Sequence, residues 1–594
     1  MSDTPAAAPV SFAEFPAVTT AEWQARLARE LKGQDPATLR WPLPDGFALE
    51  PFYHREALAA LGGAPAPLPH PLVPWLNVPA LPVPANADGR AQVDQAVTAL
   101  ARGADGVHFL LTDAAAFDVI YLAAQLPLDR AFVGYTVAHE PDALLARLVD
   151  AVPGTALRGF LRFAPGPVPE GAGLGDYRQA LRRCVHLALA MPDFRALAVN
   201  GAFFGNRGAT ATQQIAFSLN TAAALLAELP TDDLSAAQVA AAMHLHEVMT
   251  PSYFLEIAKL RALRRLWATL LHGFGLPAAL NTGLRIHAAT ASWTQTTLDP
   301  HTNLLRHTTE AMSAVLGGAD SLSVAPFDSL YAEANEFSAR LARNLSVLLR
   351  EEAGLGLVQD PAAGSYYLET LTDQLTQEAW RLFQRMESQG GLPQVRGLML
   401  DEIKTVATET FRRIASGQQV VVGTNRFQNN QEQFSFHPKK LLRSAAFDVT
   451  RAAYPTEVLR LATALHFERR EKKSRRAAVV LLGANTNQII LDSFLQTLQE
   501  HERPEIAASH PPGTLSLLYS SPEEATLMYA TPEQFQKFAR FMYKIPHEKQ
   551  QFIPPALLSA DLATMQEAVR VFGFHEMTVQ GYTTEQVLAR LQGR

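Results

Sequence analysis

The chain has 594 residues, 48% of them hydrophobic and 18% charged, a composition that fits a folded globular protein and excludes a disordered one. A formal net charge of −7 disfavours nucleic acid or an anionic membrane as a partner. The single cysteine, Cys184, excludes an internal disulfide and any thiolate-built zinc or iron–sulfur centre, and a reducing, cytoplasmic setting is expected. The first residues lack a basic segment followed by an apolar one, so no secretory signal is expected. The most apolar runs, 222–227 and 477–482, are far too short to span a bilayer.

The length predicts two to four domains. Thr19 stands ahead of Trp23, Leu27 and Leu31, with Gly33 closing the pattern, which predicts an amphipathic helix over 21–32. So short a helix buries little alone and is expected to pack on another subunit or on the main domain. Prolines concentrated over 65–84 predict an extended connector.

From about residue 72 a short apolar run, a loop and a helical-period segment alternate. The runs are 73–78, 106–111, 131–136, 157–163, 196–199, 244–249, 284–289 and 321–324. Most are too apolar for a half-exposed strand, so they predict a parallel sheet covered on both faces. Eight such runs match a (β/α)8 TIM-type barrel, with an open doubly wound sheet as the other arrangement. Residues 370–416 read as helical, broken at Gly390 and Gly391, and 455–476 as a helical and increasingly basic stretch. A last α/β unit opens at 477–482, with strand candidates at 515–519 and 577–579 and a helix candidate at 584–592. The expected organisation is an arm and connector over 1–71, a barrel over 72–365, a helical linker over 366–476 and a small domain over 477–594.

Chemistry-bearing patterns are few. There is no phosphate-binding GxxxxGK[ST], no HExxH and no GxSxG. His244 and His246 share a strand face, but two histidines without a third ligand read better as polar lining than as a metal site. The basic run from Arg469 to Arg476 is interleaved with Glu471 and reads as a solvated linker. Arg285 and His287 are two apart on one strand, so they share a face, and they are the polar pair that physical reasoning selects as a site candidate or as satisfied barrel polarity. Glu247 and Asp328, at strand ends, are the carboxylates that a barrel lyase of unrelated chemistry would use; that reading requires a perturbed carboxylate in an open pocket.

The stretch Glu256-Ile-Ala-Lys-Leu-Arg-Ala-Leu-Arg-Arg-Leu-Trp267, followed by Leu284-Arg-Ile-His287 and Ser292-Trp293, resembles the methylmalonyl-CoA mutase family. Gly208-Ala-Thr210, Asp360-Pro-Ala-Ala-Gly-Ser365 with Tyr367, and Val422-Gly-Thr-Asn-Arg426 match in the same order. The arm, with Phe12-Ala-Glu-Phe-Pro16, Trp23, Leu31-Lys-Gly33, Gly46-Phe47 and Pro51-Phe-Tyr53, is similar to the small-subunit branch. The resemblance covers nearly the whole chain. It implies an acyl-CoA mutase-like barrel, a helical linker and a C-terminal flavodoxin-like domain of the cobalamin-binding type.

The family interconverts methylmalonyl-CoA and succinyl-CoA through radicals from adenosylcobalamin, with the protein positioning and shielding the cofactor. Three of its features are absent here. The loop that should carry the axial histidine reads Leu482-Gly-Ala-Asn-Thr-Asn487, so Asn485, Thr486 and Asn487 replace the ligand motif and this chain is expected to bind no cobalamin. The substrate-side histidine position falls on Phe203, preceded by Ala202, and the segment with the radical-shielding tyrosine is missing between Leu58 and Trp75. The only D-x-H, Asp299-Pro-His301, precedes a helix in the barrel half and reads as a chance match. The resemblance therefore implies the non-catalytic small subunit of a heterodimeric mutase. Its large subunit would hold the adenosylcobalamin and handle the acyl-CoA, and Arg285 and His287 would be vestigial substrate contacts. The alternative is a self-sufficient acyl-CoA carbon-skeleton isomerase with an atypical cobalamin site. Bulky side chains filling the barrel axis would count against both that alternative and the lyase.

Overall fold

The computed structural model describes residues 18–63, 74–164, 177–332, 335–392, 394–415, 418–427, 451–454 and 457, with the strand segments 479–481, 516–519, 526–529 and 581–582. The arm begins with α1 (Thr20–Glu30), whose Thr19 and Glu22 cap each other reciprocally, side chain to backbone. Left-handed Lys32 and Gly33 end it. None of its residues is buried; Trp23 packs on Phe52, their ring centroids 5.2 Å apart. The arm then lies on its own chain. An antiparallel ribbon, β1 (Trp41–Pro42) with β2 (Ala48–Leu49), and the short α2 (Arg55–Ala60) follow, and Leu43, Phe47 and Leu49 join the main hydrophobic core.

The next elements alternate as the apolar runs predict. Strands β3 (Leu76–Asn77) and β4 (Ala80–Val83) form one segment interrupted at Pro79, which has no N–H to give to a ladder. Then come α3 (Arg90–Leu100), β5 (Gly106–Leu111), α4 (Val119–Gln125), β6 (Phe132–Val137), α5 (Pro141–Ala151), β7 (Arg158–Phe163) and α6 (Arg178–Ala188). Strands β8 (Phe194–Arg195) and β9 (Leu197–Asn200) again form one segment. After them lie α7 (Gly201–Gly205), α8 (Ala211–Glu228), α9 (Ala236–Ala242), β10 (Met243–Met249), α10 (Tyr253–Gly273), β11 (Ile286–Thr290), α11 (Thr302–Leu316), β12 (Ser321–Ser323) and α12 (Glu336–Glu351).

All strand pairs in this part are parallel, in the orders β4-β5-β6-β7-β8 and β9-β10-β11-β12-β3. Because β3 continues into β4 and β8 into β9, the eighth strand position pairs back onto the first, as in a (β/α)8 barrel and not in an open sheet. Two cores lie between strands and helices. Val107, Phe109, Val133, Tyr135 and Leu161 pack with α3 to α5, and Leu197, Val199, Leu245, Ile286 and Leu322 pack with the later helices. α8 is buried along most of its length, between the strands and the long helix α13 (Tyr366–Ser388). Its alanines allow such close approach from both sides.

The left-handed glycines Gly390 and Gly391 end α13, and α14 (Arg396–Ala415) follows. Buried Arg261 of α10 ties the two halves: it pairs with Asp360 and, at 2.6 Å, with Glu369 of α13, which also takes Arg265 at 2.7 Å. Residues 451–454 and Glu457 dock on the loop after β11: Arg451 donates to the Gln295 carbonyl at 3.0 Å, and Glu457 accepts from the Thr297 amide at 2.6 Å.

Beyond it, β13 (Val479–Leu481), β14 (Ser516–Tyr519), β15 (Thr526–Tyr529) and β16 (Gly581–Tyr582) pair antiparallel in the order β13-β15-β14-β16. A flavodoxin-like domain needs parallel neighbours, so this pairing departs from the expected architecture. The chain from Tyr519 to Thr526 is shorter than the dozen or more residues that a parallel crossover requires, so a hairpin forms. The candidates at 455–476, 577–579 and 584–592 lie, apart from Glu457, outside the described residues.

Candidate functional site

Period-two alternation sends one set of strand side chains to the helices and the other into the barrel. Opposite the outward set just named, the lumen receives His108 of β5, Thr136 of β6, Phe160 and Arg162 of β7, His244 and His246 of β10, His287 of β11, and Ser321 and Ser323 of β12. Gly134 on β6 makes room for Phe160: a Cβ there would lie 2.5 Å from the ring. The Phe160 ring lies 4.8 to 4.9 Å from those of His108, His244 and His287, and His246 is 4.6 Å from His287. These rings fill the axis.

The hydrogen bonds fix one tautomer. Ser323 Oγ donates to the Val78 carbonyl at 2.5 Å, so it accepts from His287 Nε2 at 3.1 Å, and Ser321 Oγ then donates to the neutral ring's Nδ1 at 2.8 Å. Thr136 Oγ1 accepts from Arg162 Nε at 2.9 Å and shares a 2.6 Å hydrogen bond with His108 Nε2. Burial disfavours the charged form of all four histidines, and the Arg162 charge adds to the effect. His108, His246 and His287 are held well below the usual imidazole range and His244 is lowered to about 3. The lumen is thus a neutral imidazole cluster beneath one cation. Among the described residues no three His, Cys, Asp or Glu are placed to hold a metal ion.

Arg285 and His287 do not form one site. β11 begins at Ile286, which puts Arg285 outside the strand at the N-terminal mouth of the barrel. Its side chain is 43% exposed there and 3.7 Å from Asp320, while His287 is enclosed in the lumen. Equal parity set both on one face, but Arg285 lies at the end of the barrel away from the C-terminal rim where barrel ligands bind.

Phe203 lies on α7, just past the C-terminal end of β9. Its amide donates to Asn200 Oδ1, and the Arg207 guanidinium sits 3.7 Å over its ring. No side-chain proton donor is present at that position. Gly208, at φ 89°, brings the same loop against Trp293, and Asn206 Oδ1 accepts from the Ser292 amide at 2.9 Å, tying together the loops after β9 and β11. Asp299 is left-handed, and His301 stacks on Phe327 with 5.1 Å between centroids, which makes them a helix approach and not a cofactor loop. Asn485, Thr486 and Asn487 lie outside the described residues.

Glu247 points away from the lumen, opposite in parity to its neighbour His246. Ser218 donates to it at 3.1 Å, and burial raises it to about 7 against the pull of Lys259. Lys259 is itself enclosed, 2.6 Å from Glu256 and donating to Gln214 at 2.9 Å. Asp328 is buried and accepts from Asn335 at 2.8 Å. Glu247 is therefore perturbed but sealed between strand and helix, so the open pocket that a lyase requires is absent around it among the described residues. Arg162 and His108 were not singled out from sequence. The available signal was His108 as the one polar residue of the run 106–111 and Arg162, of the same parity as Arg158 and Phe160, in the run 157–163.

The sequence profile of the methylmalonyl-CoA mutase family matches residues 177–455. The methylmalonyl-CoA mutase small subunit of Porphyromonas gingivalis is 32% identical over 446 residues, 71% of each chain. The small subunit of Streptomyces virginiae is 32% identical over 446 residues, 70% of this chain and 71% of that one. The large subunit of Porphyromonas gingivalis is 34% identical over 244 residues, 41% of this chain and 34% of its own. Likeness to small subunits over more than two thirds of their length, on parallel strands alternating with helices, means that this chain belongs to the methylmalonyl-CoA mutase family.

Proposed function

We propose that this chain is the non-catalytic small subunit of a heterodimeric, adenosylcobalamin-dependent methylmalonyl-CoA mutase, located in the cytoplasm. The observation that carries the reading is the filled lumen. Phe160 and four neutral histidines occupy the axis, and Phe203 under Arg207 stands at the mouth where a proton donor would be needed. These residues do not fit an acyl-CoA approached by a corrin, so no catalytic step is assigned to this chain. Adenosylcobalamin, which supplies the radical chemistry, belongs on the large subunit in this reading. The same filling disfavours the self-sufficient isomerase. Arg285, exposed just before β11, and His287, enclosed in the lumen, are fold residues in this reading and not a shared substrate contact.

The chain's role is then to stabilise its partner's folded, cofactor-competent state through a large interface. The arm supports this. α1 buries none of its own residues, Trp41 is 66% exposed and Phe52 49% exposed, so aromatic surface stands ready for a second chain. The chain divides in this reading into the arm and connector 1–71, barrel 72–365, linker 366–476 and a C-terminal unit 477–594.

The test is a cobalamin titration and an isomerase assay on the purified chain, on a large subunit, and on the two co-expressed. Binding and turnover are expected only where the large subunit is present, with Trp41→Ala weakening co-purification. Turnover by this chain alone would overturn the proposal.

A further inference from the structure

Arg162 is a cation without a counter-charge. Its Nε donates to Thr136, its two terminal nitrogens have no hydrogen-bond partner among the described residues, and burial lowers it to about 10 with no described carboxylate near enough to offset the effect. The groups that feel its charge most are the neutral imidazoles of His108, His244 and His246. A second group nearby is also unpartnered: His246 Nδ1, on a side chain only 3% exposed, has no hydrogen bond. A buried ring nitrogen is costly to leave unanswered, and a cation that reaches the mouth without a counter-charge is open to an anion from solvent. Arg162 and Thr136 lie toward the C-terminal ends of β7 and β6, beyond Phe160, and both keep part of their surface accessible.

We propose that the C-terminal mouth of this barrel binds a small free carboxylate, held bidentately by the terminal nitrogens of Arg162, with His246 lining the site. With Nε committed to Thr136, the edge left open is the pair of parallel N–H groups that matches a carboxylate. Phe160 and the histidines beneath close the axis, so the site takes a short anion from the C-terminal side and has no channel for a long thioester tail. The proposal does not rest on the small-subunit role. It concerns a ligand of this chain alone.

Calorimetry of the full chain with acetate or succinate replacing chloride at constant ionic strength tests it, with inorganic phosphate run in parallel. Saturable binding with Kd on the order of 1–10 mM and a matching rise in thermal midpoint is expected for the carboxylates. Arg162→Gln should weaken it at least tenfold, and Arg162→Lys, which keeps the charge but not the fork, should fall between. If Arg162→Gln fails to fold, the wild-type and Arg162→Lys titrations still decide. No saturable carboxylate binding, equal affinity in Arg162→Gln, or binding of phosphate without carboxylate would each overturn the proposal.

Discussion

The lumen makes the stability of this chain depend on pH in a calculable way. Five histidines are fully buried and held neutral: His108, His244, His246, His287 and His307, the last lowered to about 3. In the unfolded chain each titrates near 6.5. Between the depressed folded values and 6.5 the unfolded state binds more protons, so stability is lost as pH falls through 6.5. From pH 6.5 to 5.5 each group costs about 1.0 kcal/mol, or about 5 kcal/mol for five. Glu247 and Glu310, raised by burial to about 7 and about 8, work in the opposite sense, since their folded forms hold protons that the unfolded chain has released. Each returns about 1.2 kcal/mol over the same interval, and Asp45, also raised by burial, adds in the same direction. The net loss is about 2–3 kcal/mol. Urea unfolding followed at half-unit pH steps reads it directly, because the slope of free energy against pH counts the protons. His244→Asn should reduce the slope by close to one proton. A stability that is flat or rises from pH 6.5 to 5.5 would refute the account of a neutral imidazole core.

Two further perturbations probe the joints. Arg261→Met removes the cation that Asp360 and Glu369 share in a fully buried setting, and should cost about 3–5 kcal/mol, or about 6–10 °C in thermal midpoint. The exposed Arg26–Glu30 pair is the control, where Arg26→Ala should cost under about 0.5 kcal/mol. Asp45 accepts from the Thr212 amide at 2.8 Å at the start of α8, so Asp45→Ala should cost about 1–2 kcal/mol and free the arm. Limited proteolysis should then cut within 41–49 sooner than in the wild type, while an unchanged digestion pattern would mean that the hydrophobic residues of the ribbon alone hold it.

Much of this architecture was legible in the chain because burial on both faces leaves a local mark. All eight apolar runs became strands; 106–111 matches β5 end to end, and Thr19 announced α1. In the C-terminal unit the described strands pair antiparallel, which apolar runs do not encode; for β14 and β15 the short connection between them decided it. The flaw in the Arg285–His287 pairing was depth. Parity is visible in sequence, but the residue at which a strand begins is set by its neighbours' register.

What the sequence determined by itself was the alternation of strand and helix and the family, both of which depend on residues close together in the chain. Tertiary structure alone decided the composition of the lumen. His108 and His287 are 179 positions apart, yet their ring centroids lie 5.5 Å from each other, because pairing the eighth strand onto the first turns one face of every strand toward a common axis. The same closure turned Glu247 outward while His246 went in, and left Arg162 above the cluster with no counter-charge among the described residues.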